Sequence, residues 1–192
     1  MPTAAVLLFP GVEPIESITC IDLLTRAGYN VTTLGVTNDD IVHAAMGLDI
    51  APKSKLENKV DTLYDIVVMP GGPGSSEEAV FQNELVHRFL KKHNAQRKII
   101  GSICAGLLTL ASAGILDDKI VTSWPTIKER IEPHCRQYLE DRVVVDSNIV
   151  SSRGPGTAIL FALTLIKHGQ SKQVAEVTGR GILACEEDLK KL

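Results

Sequence analysis

The residue best placed to do chemistry is Cys104. It closes the run Lys98-Ile99-Ile100-Gly101-Ser102-Ile103-Cys104 and is followed by Ala105-Gly106-Leu107. The apolar run reads as a buried strand and the following residues as a helix, so Cys104 falls at the join. Small neighbours are what a sharp, strained turn demands, because bulky side chains would collide there. This is the cysteine counterpart of the nucleophile elbow, which lifts one side chain out at the carboxyl end of a sheet. Open α/β sheets hold ligands at that end. A helix starting at Ala105 would aim free N–H groups and partial positive charge at the sulfur, lowering the thiol pKa and favouring the thiolate. The same residues also suit a small buried hydrophobe at a structural turn, so this segment does not decide alone.

Two further segments add weight. Met69-Pro70-Gly71-Gly72-Pro73-Gly74 follows another apolar run and would lie at the same sheet end. Its glycines allow a backbone N–H, that of Gly72, to join the N–H of Ala105 as an oxyanion pocket, with Gly71 beside it. Neither phosphate-binding fingerprint fits, since no Lys-Ser/Thr follows and the G-x-G-x-x-G order is absent. Gly11-Val12-Glu13-Pro14-Ile15-Glu16 follows the first apolar run. Glu16 stands in an otherwise apolar helical start, where partial desolvation would raise its pKa and let it give a proton or a hydrogen bond to a thiolate. Glu13 reads as a solvated first-turn acid.

Positioning these groups requires strands and helices in alternation. Ala4-Phe9, Val31-Leu34, Asp65-Met69, Ile99-Ile103 and Ile120-Thr122 read as strands, several continuously apolar and hence covered on both faces. Ile15-Ala27 is expected as a helix with Ile15, Ile18, Leu23 and Leu24 facing inward and Gly28 capping it. Ser75-Lys92 is expected as another, opened by Ser-Ser-Glu-Glu and closed by Lys91-Lys92-His93. Ala105-Ala113 and Thr157-His168 are shorter and stop at Gly114 and Gly169. Ile41-Ile50 suggests a small edge hairpin, and Arg142-Ser151 a second with Ser147-Asn148 as its turn. The expectation is an α/β sandwich: a mostly parallel sheet with helices on both faces.

With 192 residues, 44% hydrophobic and 22% charged, the whole span 1–192 reads as one domain with a sizeable core. A net charge of −3 gives no electrostatic footprint for nucleic acid, and no apolar stretch approaches membrane-spanning length. Cys20, Cys104, Cys135 and Cys185 are widely spaced, without a C-x-x-C pair, and read as free thiols of a reducing cytoplasm. Cys20 would be buried or at an interface, and Cys135 and Cys185 in polar surroundings. No ligand spacing supports a metal, and no cofactor is implied. His43, His87, His93, His134 and His168 are isolated and read as surface residues.

Taken in order, Glu13-x-x-Glu16, Asp22-Leu23-Leu24-x-Arg26-Ala27-Gly28, Tyr64-Asp65-x-Val67-Val68-x-Pro70-Gly71-Gly72, Ile103-Cys104-Ala105-Gly106 and Ser152-Arg153-Gly154-Pro155-Gly156-Thr157 resemble the DJ-one/PfpI superfamily, in its Parkinson-associated deglycase branch. The resemblance runs over nearly the whole chain. It implies a flavodoxin-like sandwich that forms a homodimer near the Ile15-Gly28 helix. It implies an oxidisable reactive Cys104, a protonated partner in Glu16, and an anion pocket from the Gly72 and Ala105 amides, with Gly71, Trp124 and Pro155 nearby. The branch holds glutathione-independent glyoxalases acting on methylglyoxal or glyoxal, deglycases acting on early protein adducts, and oxidative-stress sensors or chaperones. Members occur in the cytoplasm, with nucleus and mitochondrion as alternatives.

Two departures narrow the reading. Thr122-Ser123-Trp124-Pro125 carries Trp124 where many members have a histidine, and indole cannot shuttle a proton. An arginine common in the edge hairpin is missing near Met46. Ala105 stands where the peptidase branch has a histidine, which disfavours a peptidase. A glutamine amidotransferase would need a downstream His-x-Glu pair, and none is present. The expectation is therefore a slow cysteine-dependent glyoxalase or deglycase, or alternatively a redox sensor whose Cys104 becomes a sulfinate.

Overall fold

A computed structural model describes all 192 residues. The strands are β1 (Thr3–Leu8), β2 (Asn30–Gly35), β3 (Val42–His43), β4 (Asp49–Ile50), β5 (Ser54–Lys55), β6 (Ile66–Met69), β7 (Ile99–Ile103), β8 (Ile120–Val121), β9 (Gln137–Tyr138), β10 (Val143–Asp146) and β11 (Ile149–Ser152). The helices are α1 (Pro14–Arg26), α2 (Glu78–Phe81), α3 (Glu84–Ala95), α4 (Leu107–Ser112), α5 (Lys128–Ile131), α6 (Ala158–Gly169), α7 (Lys172–Gly181) and α8 (Glu186–Lys190). Seven strands make one sheet in the order β10-β11-β7-β6-β1-β2-β5, parallel except for the β10–β11 hairpin. This is the flavodoxin-like α/β sandwich.

The central strands explain the architecture. β6 is wholly buried, β1 and β7 nearly so, as strands covered on both faces must be. Helix α6 packs on α1 and α7 on one face, where a side chain at Gly101 would run into Phe161 and Leu165. Helices α3 and α4 pack together on the other. One core of 52 buried residues fills both interfaces. Each fully buried Leu, Ile or Phe contributes about 1.5–3 kcal/mol, so the sheet is a stiff platform for the loops at its ends.

Five expectations need correction. Ile15 and Ile18 are 56% and 41% exposed; the inward face of α1 carries Glu16, Ser17, Cys20, Leu23 and Leu24 instead. Ser75–Lys92 is broken at Gln82-Asn83, because the Asn83 side chain accepts the Leu85 and Val86 N–H groups and starts α3 afresh. The strand at Ile120 pairs with β9 in a separate small sheet rather than joining the main one. Cys135 is half-buried against the core. His93 is fully buried. Its Nε2 accepts the Tyr64 N–H at 3.0 Å and its Nδ1 pairs with the Phe89 carbonyl at 2.7 Å. Both hairpins form as expected, with Ser147 left-handed at the second turn. No helix is long and apolar enough to cross a membrane.

Candidate active site

The parallel strands β1, β6 and β7 end side by side, and the loops leaving them carry the sequence's three chemical segments. Cys104 follows β7 directly and adopts φ +61°, in the left-handed region that non-glycine residues avoid. The strained turn forms because the chain must pass from strand to helix within one residue. It presents a side chain that is 8% exposed, reachable but almost dry. Glu16, in the first turn of α1, is completely buried.

Gly71 joins the two. Its N–H donates to Glu16 Oε2 at 2.7 Å, and its carbonyl accepts the Glu13 N–H at 2.9 Å. A Cβ there would lie 2.6 Å from the Cys104 Cβ, 2.8 Å from the Ala105 nitrogen and 2.9 Å from Glu16 Oε2. No side chain fits between acid and thiol. Gly72 has φ +121°, which only glycine tolerates, and a Cβ on it would strike the Gly11 carbonyl. The amides of Ala105 and Gly72 both favour the ionised form of the Cys104 thiol.

The electrostatics follow from burial. Loss of water pushes the Glu16 carboxyl up to about 7, against the opposing pull of the Gly71 amide and then of the neighbouring Cys104 thiol. Burial, and then the charge of an ionised Glu16, push the Cys104 thiol up to about 12, while the Ala105 and Gly72 amides pull the other way. This corrects the expected depression of the thiol. Only a single turn of 3₁₀ helix, Cys104–Gly106, precedes the six-residue α4, and its dipole does not offset desolvation. The ionisation of each group therefore depends on the state of the other. Glu16 Oε2 already has the Gly71 amide, whereas Oε1 is buried without a hydrogen-bond partner. Oε1 is thus the carboxyl oxygen with an unused hydrogen-bonding capacity.

The rest of the rim comes from two segments. The backbone N–H of Trp124 donates to the Cys104 carbonyl at 3.4 Å, and its indole lies against Gly154 with 41% of the residue exposed. Gly154 opens the turn containing Pro155, just beyond β11, whose Ser152 pairs with Ile103. Three supports carried no sequence signal. Ser123 is fastened to Tyr138, whose hydroxyl donates to the Ser123 carbonyl at 3.0 Å. Arg142 links buried Asp188 of α8 to the Gly156 carbonyl. The β3–β4 hairpin holds the Gly11–Glu13 loop, its His43 carbonyl accepting the Gly11 N–H at 2.8 Å. Each pairs residues 14 or more positions apart, which no local pattern reports. No three potential metal ligands gather anywhere in the molecule.

The chain is similar to known proteins along nearly its whole length. It is 35% identical over 182 residues to protein dj-1beta of Drosophila melanogaster, covering 94% of this chain and 96% of that one. It is 34% identical over 166 residues to a protein of Caenorhabditis elegans named glutathione-independent glyoxalase DJR-1.2, covering 86% and 87%. The crystal structure of Drosophila DJ-1beta superposes with a TM-score of 0.91 at 33% identity, over 96% of this chain and 98% of that one. Oxidised Toxoplasma gondii DJ-1 superposes with a TM-score of 0.90 at 29% identity, over 96% and 100%. Residues 2–168 match the DJ-1/PfpI family, and the chain belongs to that family.

Proposed function

We propose that this protein is a cysteine-dependent, glutathione-independent glyoxalase that converts methylglyoxal or glyoxal, or their early protein adducts, to hydroxy acids. The observation that carries the reading is the buried, partnerless Oε1 of Glu16 beside a strained Cys104, with two amides at the sulfur. A relative named as a glyoxalase supports it.

Cys104 sulfur attacks the aldehyde carbon while Glu16 takes the thiol proton, and the new oxyanion rests on the Gly72 and Ala105 amides. Protonation gives a hemithioacetal. Glu16 then moves the proton from the former aldehyde carbon to the ketone carbon through an enediol, leaving a thioester. Water hydrolyses it to lactate or glycolate and frees the thiol. The aldehyde carbon is oxidised and the ketone carbon reduced, so no external redox partner is needed. A carboxyl titrating near 7 is suited to both giving and taking protons at neutral pH. With Trp124 unable to help, Glu16 and water carry every proton, and turnover is slow.

Lactate formation from methylglyoxal tests the reading in wild type and Cys104→Ala. Loss of turnover in the variant supports it, and undiminished turnover sinks it. A second reading, a redox sensor, draws on the same amides, which would hold a Cys104 sulfinate, and on the oxidised state of the Toxoplasma relative. It is distinguished by intact mass after mild peroxide, where a selective gain of two oxygens at Cys104 is the expected sign. We also assign the exposed Ile15, Ile18 and Ile159 to a homodimer contact, which sedimentation of an Ile18→Lys variant tests. Monomer in the variant and dimer in wild type is the expected result.

A further inference from the structure

We propose that Trp124 sets the substrate class of this site, favouring 2-oxoaldehydes whose ketone carbon bears a planar aromatic ring over methylglyoxal. The inference rests on the glyoxalase reading and deepens it. Three observations place Trp124 beside the site. The backbone N–H of Trp124 donates to the backbone carbonyl of Cys104 itself, which fixes where the side chain departs. Gly154, against which the ring lies, belongs to the turn that follows the neighbouring strand. The contact is close enough that a Cβ on Gly154 would sit 2.9 Å from Cε3 and 3.0 Å from Cζ3 of the indole. The benzenoid edge is therefore seated on backbone, and a glycine is what seats it there.

What remains of the indole is not core packing. Trp124 is 41% exposed, whereas Cys104 beside it is 8% exposed. The chain has one tryptophan in 192 residues and places it on this rim, partly open to solvent. The groups acting on the sulfur are polar, namely the Gly72 and Ala105 amides and the Glu16 carboxyl. A substrate that extends from the sulfur toward the turn after β11 would meet the indole. A methyl group is too small to cover it, and a phenyl ring can stack on it offset or edge-on. Such aromatic pairs are worth about two- to tenfold in binding. The chemistry is the same isomerisation as for methylglyoxal. Sulfur adds to the aldehyde, Glu16 transfers the carbon-bound proton to the benzylic carbon, and water releases an aryl hydroxy acid, mandelate from phenylglyoxal.

The test is the ratio of kcat/KM for phenylglyoxal to that for methylglyoxal, measured in wild type, Trp124→Leu and Trp124→Phe. Taking a ratio within each protein cancels partial misfolding, and comparing it between proteins cancels the reagents' intrinsic reactivity. The expected result is a fall of about fivefold in Trp124→Leu, with the ratio in Trp124→Phe within about twofold of wild type. An unchanged ratio in Trp124→Leu overturns the proposal. Should wild type turn over neither substrate, the glyoxalase reading fails, and labelling of Cys104 by N-phenylmaleimide against N-methylmaleimide decides this one separately. A lower phenyl preference in Trp124→Leu supports the aromatic wall, and an equal preference overturns it.

Discussion

Glu16 and His93 are both fully buried titratable side chains, at opposite ends of the same sheet. His93, beside the amino end of β6, has both ring nitrogens satisfied, by the Tyr64 amide and the Phe89 carbonyl, and packs on both aromatic rings. Burial lowers its pKa and keeps it neutral. Glu16, at the carboxyl end, has one oxygen satisfied and one left over. A completed set of hydrogen bonds fixes a group in a single state and makes it part of the scaffold. An incomplete set leaves room for a proton to come and go, and the fold's stability elsewhere sustains that deficit.

The contrast can be broken by substitution. The largest effect is expected from Glu16→Gln, which keeps an acceptor for the Gly71 amide but removes the titrating proton. Methylglyoxal turnover should fall about a hundredfold or more, and retention of wild-type turnover would remove Glu16 from the chemistry. His93→Ala should do the reverse. It leaves the Tyr64 N–H without a partner and opens a cavity, costing about 3–4 kcal/mol in urea unfolding, while turnover per folded molecule stays at the wild-type value.

Next comes the pH dependence, where the two groups act with opposite sign. Unfolded Glu16 ionises near 4.5 and folded Glu16 near 7, so wild type loses stability relative to Glu16→Gln as pH rises between those values. At about 1.4 kcal/mol per pH unit the difference reaches about 3 kcal/mol and is flat above pH 7. His93 is lowered from 6.5, so its contribution is complete above that value and is lost as pH falls below it, where only the unfolded chain takes the proton. Unfolding free energies of wild type and Glu16→Gln across pH 4–9 check the first part. Gly71→Ala is smaller: its Cβ would push Cys104 and Glu16 apart, and Cys104 alkylation should slow about tenfold. The least effect belongs to Cys185→Ser, an exposed thiol far along the chain, with turnover unchanged.

Much of this was legible in the sequence, for identifiable reasons. The run Ile99–Ile103 and its small-residue turn announced Cys104, because strand burial and tight turns constrain residue type locally. Glu16 stood out as a charge amid apolar neighbours. Its surroundings also misled, since Ile15 and Ile18 were read as inward, and the acid took the buried face instead. The glycine pair was legible as a loop, while its actual task, with Gly71 filling the gap between acid and thiol, depends on residues 55 positions apart. The same limit hid His93, whose partner amide is 29 residues away. Helix-dipole reasoning about the thiol failed because sequence reports which residues begin a helix, and not how dry the site before it is.

The central claim is that Glu16 holds a proton well above the range of an ordinary carboxylic acid because burial strips its carboxyl of water and only one of its oxygens gains a hydrogen bond in return. Carbon-13 titration of the glutamate side-chain carboxyls by NMR measures this directly, with Glu16→Gln to assign the signal. One carboxyl should titrate near pH 7 in wild type and be missing from the variant. If every glutamate instead completes its titration below about pH 5.5, the carboxyl is ionised throughout the neutral range and the account is contradicted.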